Sequence, residues 1–314
     1  MEIMKKNSPI SVPAIAPLNE LIPASPRPAN LTAFRTNPSL ERFLRLMRIL
    51  STYSPGLAAQ VSTYLFLRPR RKALTYVNEL PAGHRKIHIL HAQRRLVGYE
   101  WGSGRRKVLL VHGWESHLGY MLPLVQPLVA AGFKVIAMDG PGHGQSPGHL
   151  THMIEYGDAV GQALRQFGPF TAVIASSFGA AATSLMLSRE PQLKVQGLIM
   201  LSPMKHIWQH IQIFEKILGY PPEMHERILA NIARRVAVPL ENCDVARAVG
   251  RFPFPALIVH DQEDAVIPAA GSREIAAAYP GSVLRITQGL GHRGLVSDRQ
   301  VQRWILDFLL RTMR

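Results

Sequence analysis

Six short apolar runs, Val108–His112, Phe133–Met138, Phe170–Ile174, Val195–Leu201, Ala256–His260 and Val283–Thr287, constrain the fold of this 314-residue chain most. Each is rich in β-branched and aliphatic residues, and amphipathic or small-residue helical segments separate them. Strands that alternate with helices, and are apolar on both faces, belong to a parallel sheet covered on both sides. The helical segments expected between them are Met121–Ala131, Thr151–Phe167, Ala180–Leu187, Ala269–Tyr279 and Leu295–Leu310. Two further strand-like runs, Lys86–His91 and Arg94–Trp101, read as a hairpin ahead of the alternation. The fold class expected is α/β, a doubly wound and mostly parallel sheet.

The alternation lapses twice. Between the runs ending at Leu201 and starting at Ala256, two amphipathic helices are expected. One carries Ile207, Trp208, Ile211, Phe214, Ile217 and Leu218, and the other Met224, Ile228, Ile232 and Val236. A helical insertion at 203–250 is well placed to cover the sheet's C-terminal edge, where ligands bind in such folds. Ahead of the hairpin, residues 1–36 hold six prolines among small and polar residues and read as a disordered or loosely docked arm. Residues 37–84 read as a basic helical extension. Leu40, Phe43, Leu44, Met47 and Leu50 recur at helical spacing with Arg42, Arg45 and Arg48 between them. Pro55-Gly56 breaks this helix, and a second apolar segment runs to Leu67, before the cluster Arg68-Pro69-Arg70-Arg71-Lys72. The core is then 85–202 with 251–314.

The net charge of +15 invites a nucleic-acid reading, and its distribution excludes one. Residues 1–107 hold 18 Lys+Arg against 5 Asp+Glu, while the remaining two thirds hold 18 against 16. A near-neutral core is not built to neutralise phosphates. The basic extension has two readings. It is either a helical pair packed on the main domain with a solvated face, or an element of residues 37–80 that rests peripherally on an anionic membrane. The single cysteine, Cys243, forms no internal disulfide, and no apolar stretch reaches about 18 residues, so a cytoplasmic protein is expected.

Chemistry enters at the end of the third run. Ala175-Ser176-Ser177-Phe178-Gly179 joins a β-branched strand to a run of helix formers. A sharp strand-to-helix turn needs small residues two before and two after its exposed serine, since the two backbones pass close there. Ser177 has Ala175 and Gly179 at those positions. Ser176 would have Ile174 and Phe178, so Ser177 is the candidate nucleophile. A serine hydroxyl needs a base, and the base needs an orienting partner. Of thirteen histidines, only His292 follows the last strand, in Gly289-Leu290-Gly291-His292; His112 and His143 sit in glycine-rich turns suited to structural hydrogen bonds. Carboxylates cluster after the Ala256–His260 run, at Asp261, Glu263 and Asp264. An oxyanion would meet the Phe178 backbone N–H beside the serine.

With these motifs the chain resembles the α/β-hydrolase superfamily over roughly residues 85–314, with 203–250 in the position of that family's helical cap. The family's serine, acid, histidine order is Ser177, Asp264, His292 here. Its acid often lies in a His-Gly-x-x-Asp-x-x-Val/Ile-Pro segment; His260 to Pro268 carries that pattern with Asp261 in place of the glycine, which selects Asp264. Its His-Gly-x turn falls on His112-Gly113-Trp114 and implies the Trp114 N–H as second oxyanion donor. Relatives that use an aspartate at the elbow, the haloalkane dehalogenases and epoxide hydrolases, differ here. The expected activity is a metal-free and cofactor-free serine hydrolase of carboxylic esters, working through an acyl-enzyme on a small ester or acyl substrate. A thioesterase, lipase, amidase, acyltransferase or C–C bond hydrolase shares the triad. A non-catalytic binding protein on the same scaffold is the alternative from another class.

Overall fold

The structure is a computed structural model that describes residues 38–71, 74–236, 238–239 and 242–312. The proline-rich arm expected at 1–36 lies outside the described residues, as does Lys72 of the basic cluster. Two helices open the described chain, α1 (Pro38–Tyr53) and α2 (Pro55–Leu67). Pro55 begins α2 at a position where its missing N–H has no intrahelical partner to lose. The hairpin follows as β1 (Arg85–His91) and β2 (Arg94–Trp101). Ala92 and Gln93 both take positive φ in its two-residue turn, the hand that matches strand twist.

The core then runs β3 (Arg106–Val111), α3 (Val125–Ala130), β4 (Phe133–Met138), α4 (Met153–Phe167), β5 (Phe170–Ser176), α5 (Phe178–Arg189) and β6 (Val195–Leu201). The insertion holds α6 (Trp208–Leu218), α7 (Glu223–Val236) and the short α8 (Val245–Val249), the last unforeseen from the sequence. The chain closes with β7 (Ala256–Asp261), α9 (Ala270–Ala278), β8 (Ser282–Thr287) and α10 (Arg299–Thr312). Sheet order is β1-β2-β4-β3-β5-β6-β7-β8. β1 and β2 are antiparallel, β2 meets β4 antiparallel, and every pair from β4 to β8 is parallel. The parallel strands therefore deliver all their C-terminal turns to one edge.

Alternate strand residues fill two separate cores. Leu109, Val111, Ile136, Val173 and Ala175 pack beneath α4 and α5. Val108, Leu110, Val135, Ala172 and Ile174 pack beneath α3 and α10. Both faces of the central strands β3 to β7 are thus buried, as the continuous apolar runs require, while the edge strand β8 is only half-buried, with Val283 45% exposed. Two expected helices differ. The segment Met121–Ala131 starts as 3-10 turns over Leu118–Leu124 and turns α-helical only at Val125, because Pro123 and Pro127 donate no backbone hydrogen bond. The last helix begins at Arg299 rather than Leu295. Asp298 Oδ1 caps it, accepting from the N–H groups of Gln300 and Val301 at 2.9 Å each, while Leu295 and Val296 are buried in the preceding turn.

The extension and the insertion pack on each other. α2 lies against α7, and α1 against α6. Ser62 Oγ and Tyr220 Oη hydrogen-bond at 2.8 Å, Phe66 and Phe214 ring centroids are 5.4 Å apart, and Arg48 Nε donates to Leu218 O. The end of α2 is tied to the core, where Thr151 N donates to Leu67 O at 2.9 Å.

Below this layer, Asp139 organises the loop after β4. Its carboxylate is fully buried and accepts from Leu118 N (2.7 Å), Gln145 N (2.8 Å) and Tyr76 Oη (2.6 Å). Replacing Asp139 with alanine leaves the buried Leu118 N–H, the part-buried Gln145 N–H and the Tyr76 hydroxyl proton without their acceptor. Urea unfolding of Asp139→Ala should show a loss of about 3 kcal/mol or more.

Candidate active site

β5 ends at Ser176, and the chain reverses into α5 through Ser177, held at φ 54° and ψ −123°. A non-glycine residue in that region costs about 1–3 kcal/mol and persists only where its surroundings impose it. Here Ser177 N donates to Leu201 O at 2.8 Å, and Ser177 O accepts from Ala180 N at 3.0 Å and Ala181 N at 3.2 Å. Gly179 is required for this crossing, since a Cβ there would lie 2.2 Å from His112 O. Ser176 is buried and hydrogen-bonds Tyr120, whose phenol burial pushes up to about 12.

The turn after β3 passes directly over the serine. A Cβ on Gly113 would stand 3.0 Å from Ser177 Cβ and 3.5 Å from its Oγ. Two histidines fix this turn. Gly140 N donates to His112 Nε2 (3.0 Å) and Glu115 N donates to His143 Nε2 (3.1 Å), so each ring's Nδ1–H faces a carbonyl, that of Gly113 and of Pro141. Burial lowers both rings to about 3, which keeps them neutral and able to accept those bonds. Glu115 takes φ 48°, and the Trp114 ring lies 5.0 Å from that of Phe178. Phe178 is the first residue of α5, so its N–H has no intrahelical acceptor.

His292 spans the gap between serine and acid. Its Nε2 is 3.2 Å from Ser177 Oγ and its Nδ1 is 2.7 Å from Asp264 Oδ2. Ser177, Asp264 and His292, separated by up to 115 positions, thus form one hydrogen-bonded chain. Asp261 is directed elsewhere: its Oδ2 accepts from Thr287 Oγ1 (2.7 Å) and Leu290 N (3.0 Å) and anchors the loop that carries the histidine. For Asp264, burial works to raise the carboxyl, but hydrogen bonds from His260 and His292 and from the Ile267 N–H outweigh it and hold the group well below the usual range. His260 is itself fixed by Ser272 Oγ (2.6 Å) and Ile267 O (2.9 Å), a supporting role the sequence did not disclose.

Above these groups lies a cavity of about 900 Å³. Ser177, Trp114, Phe178, Met204 and His292 form its floor, and α6 and α7 contribute Phe214, Ile217, Ile232 and Val236. The remaining wall comes from α1 and α2, through Leu40, Phe43, Leu44, Leu65 and Phe66. Arg68, Arg70, Arg71 and Arg293 also border it, and Arg70 pairs with Glu115 at 2.8 Å. His210 on α6 faces this space with its Nδ1 buried and unpartnered; burial, reinforced by repulsion from His292, lowers its ring to about 4. Nothing in the sequence around His210 separated it from the other residues of an amphipathic helix. Among the described residues, no cluster of three or more His, Cys, Asp or Glu is arranged to hold a metal ion.

Known proteins share this arrangement of elements. The family described as serine aminopeptidase, S33 matches residues 102–242. A pimeloyl-[acyl-carrier protein] methyl ester esterase of Xanthomonas campestris pv. campestris is 24% identical over 234 residues, covering 61% of this chain and 89% of that protein. A monoacylglycerol lipase of Mycolicibacterium smegmatis is 25% identical over 246 residues, covering 65% and 86%. In structure, an esterase of Pyrococcus furiosus superposes with a TM-score of 0.60 at 18% identity, covering 79% of this chain and 98% of its own.

The depressed Asp264 carboxyl makes a pH prediction. Its stabilising contribution is whole above the unfolded carboxylate pKa of about 4 and is lost as pH falls below that value. Urea unfolding of the wild type and Asp264→Asn across acidic pH should show their stability difference shrinking below about pH 4. A constant difference would contradict the hydrogen-bond assignment.

Proposed function

We propose, from the match of residues 102–242 to the serine aminopeptidase S33 family and the likeness of the fold to solved esterases, that this chain is a serine esterase of the α/β-hydrolase superfamily acting on carboxylic esters with an extended apolar acyl part. The observation that carries the reading is the Ser177–His292–Asp264 chain, with contacts of 3.2 and 2.7 Å, on the floor of a largely apolar cavity of about 900 Å³. The names of the two relatives, an esterase of an acyl methyl ester and a monoacylglycerol lipase, agree with an acyl ester substrate.

In this mechanism Asp264 accepts from His292 Nδ1–H and fixes the tautomer whose Nε2 is free to accept. His292 Nε2 takes the Ser177 proton as Oγ bonds to the ester carbon. The carbonyl oxygen becomes an oxyanion between the N–H groups of Phe178 and Trp114. That charge is stabilised by donors already oriented by the start of α5 and by the histidine-pinned turn, each worth about 3 kcal/mol. Collapse breaks the bond to the alcohol oxygen, which leaves with the proton from His292. Water then gives a proton to His292, attacks the acyl-enzyme and releases the acid, returning the proton to Ser177. The helices over the cavity act as a cap that excludes bulk water and receives the acyl chain. His210, kept neutral by burial and with its Nδ1 unpartnered, presents a polar atom to the substrate within that chamber.

Ser177→Ala and His292→Ala should each lower kcat toward a chromogenic ester by about 10⁴-fold or more, whereas Ser176→Ala retains the greater part of the activity. Labelling by a fluorophosphonate should track Ser177 alone. A folded wild type that fails to label would favour a binding role on this scaffold. For chain length, Ile217→Trp fills part of the chamber and should shift preference to shorter acyl groups. The kcat/KM for long esters should fall about tenfold or more, while that for acetyl esters is kept.

A further inference from the structure

α2 carries no charged side chain in Pro55–Leu67, a composition expected of a buried helix, yet it lies at the surface. Its outer stripe exposes Leu57 (49%) and Tyr64 (39%) and ends at Arg68. The outer stripe of α1 runs Arg42, Leu46, Ile49, Tyr53 at intervals of four, three and four, with Leu46 60%, Ile49 48% and Tyr53 84% exposed. Such large apolar side chains in helical register are a patch rather than scattered surface residues. Their charged neighbours are mostly positive: across residues 38–71 there are six arginines, of which Arg70 pairs with Glu115, and the single acid Glu41. No helix among the described residues is long and apolar enough to cross a membrane.

We propose that the outer face of α1 and α2 docks the protein on an anionic phospholipid surface. The arginines select that occupant, since they meet lipid headgroups of opposite charge while Leu46, Ile49, Tyr53, Leu57 and Tyr64 enter the interface. The opposite face of the same two helices lines the cavity above Ser177. Docking by this face therefore sets the helices that wall the chamber against the lipid. This last step rests on the esterase reading; the docking does not.

The test is co-sedimentation of the full chain with vesicles of phosphatidylcholine, with and without about one third phosphatidylglycerol. The wild type should bind the anionic vesicles and be released by about 0.5 M salt, where charges are screened within a few ångströms. Arg42→Gln with Arg45→Gln should lower the partition coefficient about thirtyfold, near fivefold for each arginine. Leu46→Ser with Ile49→Ser should lower it comparably, and both pairs should turn over a short soluble ester as the wild type does. Ser177→Ala should bind like the wild type, which separates this result from failure of the proposed reaction. Absence of binding to anionic vesicles, equal binding to neutral ones, or binding that survives both double substitutions would overturn the proposal. So would a dimer, seen in sedimentation velocity, that Leu46→Ser with Ile49→Ser dissociates.

Discussion

Where β5 turns into α5, the backbone passes so close to the turn after β3 that no side chain fits between them. A Cβ at position 179 would stand 2.2 Å from His112 O, and one at 113 would stand 3.0 Å from Ser177 Cβ. That contact holds Ser177 at positive φ and keeps its Oγ clear of the helix that follows. The strain, about 1–3 kcal/mol, is sustained by the dry cores on both sheet faces. It also brings Gly113 against Ser177, beside the Trp114 and Phe178 rings, whose centroids are 5.0 Å apart. His112 and His143 then lock the turn as neutral acceptors.

A second consequence follows for the acid side. Asp264 stands inside a ring of donors, with His292, His260 and the Val266 and Ile267 N–H groups around it. A carboxylate so supplied stays ionised despite burial, and a charged Asp264 keeps His292 Nδ1 protonated and Nε2 free. Asp261, one strand position earlier, spends its own lone pairs on Thr287 and Leu290. The two acids are therefore separated by function within the loop system: one orients the histidine ring and the other holds the loop on which the ring is carried.

Much of this was legible in the sequence because it is local. Strand ends are marked by apolar runs, and the elbow by small residues at 175 and 179. The site residues follow strand ends in a fold that collects those ends on one edge, so naming the ends came close to naming the site. Helix starts were less legible: Leu295 and Val296 continue the apolar period of α10, but the cap at Asp298 sets the start by hydrogen bonds. Least legible was the partner of each amphipathic face. Phe43 and Leu44 read alike whether they pack on a sheet, pack on a helix or face an empty chamber. The same holds for His210, whose ring lines the chamber although nothing in the sequence around it set it apart.

The composite chamber changes how the basic extension has to be understood. Charge placed +13 of the chain's +15 in residues 1–107 and left open whether the helices there pack on the main domain or rest on a membrane. Yet α1 and α2 interlock with α6 and α7 through Phe66–Phe214, Ser62–Tyr220 and Arg48–Leu218, and their inner faces complete the wall over Ser177. Removing them would open the chamber to water as well as discard the arginines. Under the proposed esterase and docking roles, a helix pair with one face on the chamber and the other in solvent couples two properties that are independent in a bare core: what surface the protein rests on, and what chain length its serine meets. Substitutions on the outer stripes of α1 and α2 can vary the first while the inner positions keep the second, since successive stripes on a helix point in different directions.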